Sequence, residues 1–186
     1  MKEQEEQLIR NVLKGDTSSF SYFVDAYQNM AYTIAFRICK NRQDAEDIVQ
    51  ESFVRAFNNL RTFRFTSKFS TWFYRIVYNT AISSIQTASY RNEFTEYGQI
   101  DTDVQFSDLN ILEHMEISER KQTINDILNH MPTDESIVLT LFYLEEHSIK
   151  DVSEMLSITE SNVKVRLHRA RKRFAEMASS MSLQTL

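Results

Sequence analysis

The stretch His147–Phe174, HSIKDVSEMLSITESNVKVRLHRARKRF, decides how this chain is read. Its first half predicts a short amphipathic helix. Ser148 is placed as the N-cap, and Asp151 three residues on closes a capping box. Val152, Met155 and Leu156 supply one apolar face. Ser157, Ile158 and Thr159 leave room only for a tight turn, and Thr159 caps the next helix. In that second helix Val163, Leu167, Ala170 and Phe174 recur at helical spacing, which predicts one narrow buried stripe. Around the stripe stand Lys164, Arg166, His168, Arg169, Arg171, Lys172 and Arg173, and no acidic residue lies from Ser161 to Ala175.

A short helix, a tight turn and a longer helix with a basic outer face are the layout of a helix-turn-helix. The second helix then enters a major groove with its N-terminal residues at base edges. Asn162, Lys164, Val165 and Arg166 are placed for that contact, with Ser161 also on the DNA-binding face. His168, Arg169, Arg171, Lys172 and Arg173 follow along the phosphates.

Two glycines and one proline in 186 residues argue for helices joined by polar links. The single cysteine, Cys39, rules out an internal disulfide and suits a reducing cytoplasm. The opening MKEQEEQLIRN is charged and amphipathic, unlike a signal peptide. No apolar run is long enough to insert in a membrane. The net charge of −5 is unevenly spread. Ser52–Asn92 carries Arg55, Arg61, Arg64, Lys68, Arg75 and Arg91 without an acidic residue, and Ser161–Ala175 carries six more cations. That leaves 9 of the 21 basic residues, and all 26 acidic ones, for the rest of the chain. Two cationic surfaces on an acidic body imply two separate contacts with nucleic acid.

In chain order, Glu3–Lys14 reads as a helix with Leu8, Ile9, Val12 and Leu13 inward. Gly15 ends it and Asp16 caps a long helix from Thr17 to Lys40. Asn41 and Arg42 form a turn. Gln43–Leu60 comes next, with Ile48, Val49, Phe53, Ala56 and Phe57 inward and Asp44, Glu46 and Asp47 at its positive N-terminal end. No oxygen-rich loop accompanies these carboxylates, so no metal is expected. Arg61–Ser67 is a loop, and Lys68 to about Ala88 a helix. Between Arg61 and Tyr78, cations (Arg61, Arg64, Lys68, Arg75) mix with aromatics (Phe63, Phe65, Phe69, Trp72, Phe73, Tyr74, Tyr78), a composition that suits an unpaired strand with bases stacked on rings. Phe69, Phe73 and Ile76 sit at core spacing, so exposure is expected of Phe63 and Phe65. Glu93–Glu119 holds eight acidic residues and no Lys or Arg. It reads as a flexible, self-repelling linker. Met115–Met131 is a helix, and Pro132 starts another, capped by Thr133, running through Ile137, Val138, Leu141 and Phe142.

The chain thus resembles a bacterial RNA polymerase sigma factor of the sigma-70 family, extracytoplasmic-function (ECF) subfamily. The resemblance lies in GDTSSF at Gly15–Phe20, DAEDIVQESFVRAF at Asp44–Phe57, FRFTSKFSTWFYRIVYNTAI at Phe63–Ile82 and the whole of Met131–Phe174. It implies an all-α protein of two small helical domains joined by a flexible acidic linker. These are a sigma region 2 bundle at 1–92, the linker at 93–114 and a region 4 helix-turn-helix at 115–186. It also implies partners: core RNA polymerase, promoter DNA and an anti-sigma factor. Asp44, Glu46, Asp47, Gln50 and Glu51 would dock on the β′ coiled coil. The adjoining loop and helix, with Asn79, would take the non-template strand of the minus-ten element. The second domain would read the minus-thirty-five element and meet the β flap.

Two departures from the family pattern stand out. Trp72, Ile76, Asn79, Ser83 and Gln86 share a helical face, and the last two replace the usual Asp and Arg. Asn162-Val163-Lys164-Val165 replaces Thr-Val-Lys-Ser, which gives an adenine-matching amide and a methyl-matching Val165. A stand-alone helix-turn-helix regulator acting as a dimer is the alternative, and it leaves Phe63–Tyr78 and the acidic helix unexplained. No phosphate-binding glycine loop, metal-ligand spacing or nucleophile beside a base suggests a catalytic residue or a cofactor.

Overall fold

The computed structural model describes residues 2–92 and 113–184, with side chains from 3 to 87 and from 121 to 180. The acidic linker expected from Glu93 to about Leu112 lies outside them. Among the described residues every regular element is a helix: α1 (Lys2–Leu13), α2 (Ser21–Cys39), α3 (Arg42–Asn59), α4 (Phe69–Asn92), α5 (Glu113–His130), α6 (Thr133–Leu139), α7 (Ile149–Leu156) and α8 (Glu160–Gln184). Contacts divide the chain into Met1–Ile100 with Lys150–Ile158, and Asp101–Ile149 with Thr159–Leu186.

The first unit is built on aromatic packing. Phe23, Phe69 and Phe73 are fully buried. Phe23 meets Phe69 at 4.3 Å between ring centroids, and Phe53 stacks on Phe73 at 4.5 Å. Burying such rings removes some of the largest apolar areas a side chain offers. The inward residues of α3 are Ala45, Ile48, Ser52, Phe53 and Ala56. Phe57, also expected inward, is 37% exposed and packs edge-on against Phe20. In α1, Ile9 and Val12 are buried while Leu13 faces solvent. The Tyr27 hydroxyl donates to the Glu5 carboxylate at 2.5 Å and ties α1 to α2. Burial, and then that carboxylate, push the phenol well above its ordinary pKa.

The termini of these helices differ in detail from the sequence reading. Thr17–Phe20 is a separate 3₁₀ turn before α2. Asp16 stands at its N-cap but accepts from the Ser18 and Ser19 hydroxyls, which lower its pKa. Asn41 is the N-cap of α3, its side-chain oxygen accepting from the Asp44 backbone N–H at 3.0 Å. Arg37, on the solvent side of the simple helical pattern, is buried, and burial lowers its guanidinium pKa to about 10.

In the second unit Ile127, Leu128, Ile137, Val138, Leu141, Val163, Leu167 and Ala170 are buried. The helix expected to run on from Pro132 changes form. Pro132 itself occupies the N-cap position and Thr133 is the first helical residue, so Thr133 is not the cap. From Thr140 to Leu144 the helix widens to a π turn. That local widening leaves Tyr143 and Leu144 about half exposed.

Candidate nucleic-acid interface

On α3 the inward side chains leave a separate polar face. Asp44, Glu46, Asp47, Gln50 and Glu51 are all exposed. Arg42 pairs with Glu46 at 3.0 Å and Arg55 with Glu51 at 2.6 Å, one helical turn apart in each case. Pairs this exposed contribute little to stability. Their effect is to leave Asp47 and Gln50 at the centre of the face. Beside it runs a groove of about 490 Å³ between α2 and α3, lined by Val24, Tyr32, Val49, Gln50 and the half-exposed Val54. A charged face bordering an exposed apolar groove is the composition of a protein contact. No group of three His, Cys, Asp or Glu side chains among the described residues is set to hold a metal ion.

The loop after α3 corrects one expectation. Phe63 is 7% exposed. Its ring lies 4.9 Å from Phe65, 5.4 Å from Trp72 and 5.9 Å from Phe69. The chain turns back so soon after α3 that the loop carries its own aromatic into the core. Phe65 packs on this cluster and is only partly exposed. Its backbone is left-handed, with φ 57. For a bulky residue that conformation is uncommon and costs roughly 1–3 kcal/mol. The guanidinium of Arg10 stands over the Phe65 ring, 5.2 Å from its centroid. Arg61, Arg64, Lys68, Arg75 and Asn79 are exposed and Trp72 is half-buried. Along α4 the face Trp72, Ile76, Asn79, Ser83, Gln86 passes from half-buried to exposed, as its spacing predicts.

In the second unit Thr159 caps α8, its hydroxyl accepting from the Asn162 backbone N–H at 3.2 Å. The stripe Val163, Leu167, Ala170 is buried and Phe174 half-buried. Ser161, Asn162, Lys164, Val165, His168, Arg169, Arg171 and Lys172 are exposed. Val165 is an exposed apolar side chain at 51% on an otherwise polar face. The sign of the surface is less uniform than the sequence implies. Arg173 donates from Nε to Glu135 at 2.7 Å, and Glu135 is buried. Arg173 is therefore a strut between α8 and α6, whereas the sequence placed it on phosphate. Arg166 donates to the Asn162 side-chain oxygen at 2.9 Å and lies 3.8 Å from Asp134. The two candidate base readers are thus joined to each other. Arg171 sits over the Tyr143 ring at 5.6 Å. Sequence reasoning missed Arg10, Asp134 and Glu135. Each acts on a residue more than thirty positions away, and no local spacing signals that.

The chain is similar to known proteins over most of its length. Residues 23–90 match Sigma-70 region 2, and residues 121–174 match Sigma-70, region 4. The chain is 33% identical over 174 residues to the ECF RNA polymerase sigma factor SigW of Bacillus subtilis, covering 88% of this chain and 91% of that one. It is 32% identical to the ECF RNA polymerase sigma-E factor of Haemophilus influenzae, covering 90% and 92%. Among solved structures it is similar to the sigma factor RpoE of Bartonella quintana in complex with the anti-sigma factor NepR. The TM-score is 0.72 at 18% identity, over 86% of this chain and 96% of that one. It is also similar to CnrH in complex with the cytosolic domain of CnrY, with a TM-score of 0.62 at 19% identity, over 93% and 96%. At these identities the two structures speak for the fold alone.

Proposed function

The chain belongs to the sigma-70 family of RNA polymerase sigma factors, in its extracytoplasmic-function group, and on that premise we propose how its surfaces divide the work of promoter recognition. The chain joins core RNA polymerase, reads two promoter elements and promotes strand opening. Residues 1–92 act as the region 2 domain, 115–186 as the region 4 domain, and the acidic segment 93–114 connects them. The α3 face around Asp47 and Gln50 docks on the β′ coiled coil. Arg61, Arg64, Phe65, Lys68, Trp72, Arg75 and Asn79 take the non-template strand of the downstream element, and Phe63 supports them from the core. On α8, Asn162, Lys164 and Val165 meet base edges of the upstream element with Arg166 behind them. Ser161, His168, Arg169, Arg171 and Lys172 line the phosphates. The same domain meets the β flap.

The observation that carries this reading is the separation of charge on exposed helix faces. One face, on α3, centres on carboxylates and amides, and another, on α8, is cationic apart from its paired edge. A stand-alone duplex-binding regulator has no use for the first. Sigma factors are DNA-recognition subunits, so no catalytic residue or cofactor is assigned. RpoE is in complex with the anti-sigma factor NepR, and CnrH with the cytosolic domain of CnrY, and an anti-sigma partner is assigned to this chain too. No described helix is long and apolar enough to cross a membrane, and the site of action is the cytoplasm, with polymerase.

The docking assignment is tested by capture of core polymerase on immobilised full-length chain. Asp47→Arg with Gln50→Ala should weaken capture by about tenfold, near 1.4 kcal/mol, with unfolding midpoints unchanged because neither side chain is in the core. Undiminished capture would remove α3 from the interface.

A further inference from the structure

The first family match begins at residue 23, so α1 lies outside it. Yet α1 reaches the loop that takes the unpaired strand. Ile9 is buried, and Glu5 is bonded to Tyr27 of α2. These contacts fix the helix on which Arg10 stands, in its last turn. Arg10 is exposed and its guanidinium lies over the Phe65 ring at 5.2 Å. Phe65 is the partly exposed aromatic of the loop, and its backbone is left-handed. A bulky residue keeps that conformation only where its surroundings over-determine it. Here the surroundings are Phe63 at 4.9 Å and the Arg10 cation.

We propose that Arg10 of α1 is a positioning residue for strand capture: it holds the Phe65 ring in the orientation that receives an unstacked base. This rests on the reading that the 61–68 loop takes the non-template strand. A ring stacks on a base only if it is already oriented, since ordering it on binding subtracts from the gain. A cation over the ring fixes the orientation through the quadrupole of the π face. It also sets positive charge beside the path of the strand phosphates. Arg10 makes the ring ready without itself reading a base, so its loss slows opening at any downstream sequence alike.

The test is a double-mutant cycle in holoenzyme reconstituted from the full chain and core polymerase. Opening is followed by the fluorescence of 2-aminopurine placed in the downstream element. Arg10→Ala should slow opening several-fold, Arg10→Lys should recover most of the rate, and Phe65→Ala should slow it at least as much as Arg10→Ala. In the Phe65→Ala background Arg10→Ala should have no further effect. Capture of closed promoter duplex by the Arg10 variants should stay at the wild-type level, which a general loss of structure would not allow. If Arg10→Ala slows opening equally in both backgrounds, or leaves it unchanged where Phe65→Ala impairs it, the positioning role is overturned and the loop reading stands. If Phe65→Ala opens DNA at the wild-type rate, the loop reading itself is overturned and the role of Arg10 with it.

Discussion

Phe63→Ala will destabilise the first unit by about 3–5 kcal/mol, the usual cost of truncating a packed Phe. The ring is 7% exposed and has Phe65, Trp72 and Phe69 within 6 Å. Removing it leaves a cavity beneath Phe65 and takes away a ring packed against that residue. The loss should appear as a lower urea midpoint at constant m-value. Phe65→Ala should cost less, because its ring is only partly buried. The contrast decides how strand-opening data are read. A Phe63 variant that fails to open DNA reports a damaged fold, and a Phe65 variant reports on the proposed capture site. A change below about 1 kcal/mol for Phe63→Ala would mean the ring is not packed as described.

Arg173→Ala will destabilise the second unit by about 1–3 kcal/mol, because it leaves the buried Glu135 carboxylate without its 2.7 Å donor. Were Arg173 a phosphate contact, the same substitution would spare stability and flatten the salt dependence of promoter binding. The two outcomes are separable by chemical denaturation and a salt titration of binding. Glu135→Leu combined with Arg173→Met should restore most of the stability, since an apolar pair of similar volume needs no desolvated charge. If Arg173→Ala leaves the unfolding midpoint unchanged, the strut contributes nothing.

The elements most legible in the sequence were those set by local rules. The α8 stripe comes from steps of four and three, and Val163, Leu167 and Ala170 are each at most 2% exposed. Thr159 caps because a hydroxyl precedes a helical run. The acidic residues of α3 face outward because Ala45, Ile48 and Phe53 claim the inner side. The features that escaped were set by distant partners. Phe63 looked exposed because loops run over surfaces, but its neighbours come from α4. Glu135 and Arg37 are buried charges, against the ordinary preference of their types. Glu135 finds its partner 38 residues along the chain. The π turn at Thr140–Leu144 leaves no mark that periodicity would detect.

These corrections redraw the candidate sites without moving them. The upstream reader keeps Asn162 and Val165 on its exposed face but joins Asn162 to Arg166 and Arg166 to Asp134. The downstream site keeps its exposed cations and Phe65, with Phe63 beneath. The central claim is that one chain gives polymerase both contacts. Run-off transcription tests it most directly, with purified core polymerase, the full chain and a library of genomic fragments from the source bacterium. The account predicts transcripts with discrete 5′ ends that share two spaced upstream elements and that disappear when the chain is omitted. Binding of dimers to duplex DNA, with no start-specific transcript at any chain concentration, would contradict it.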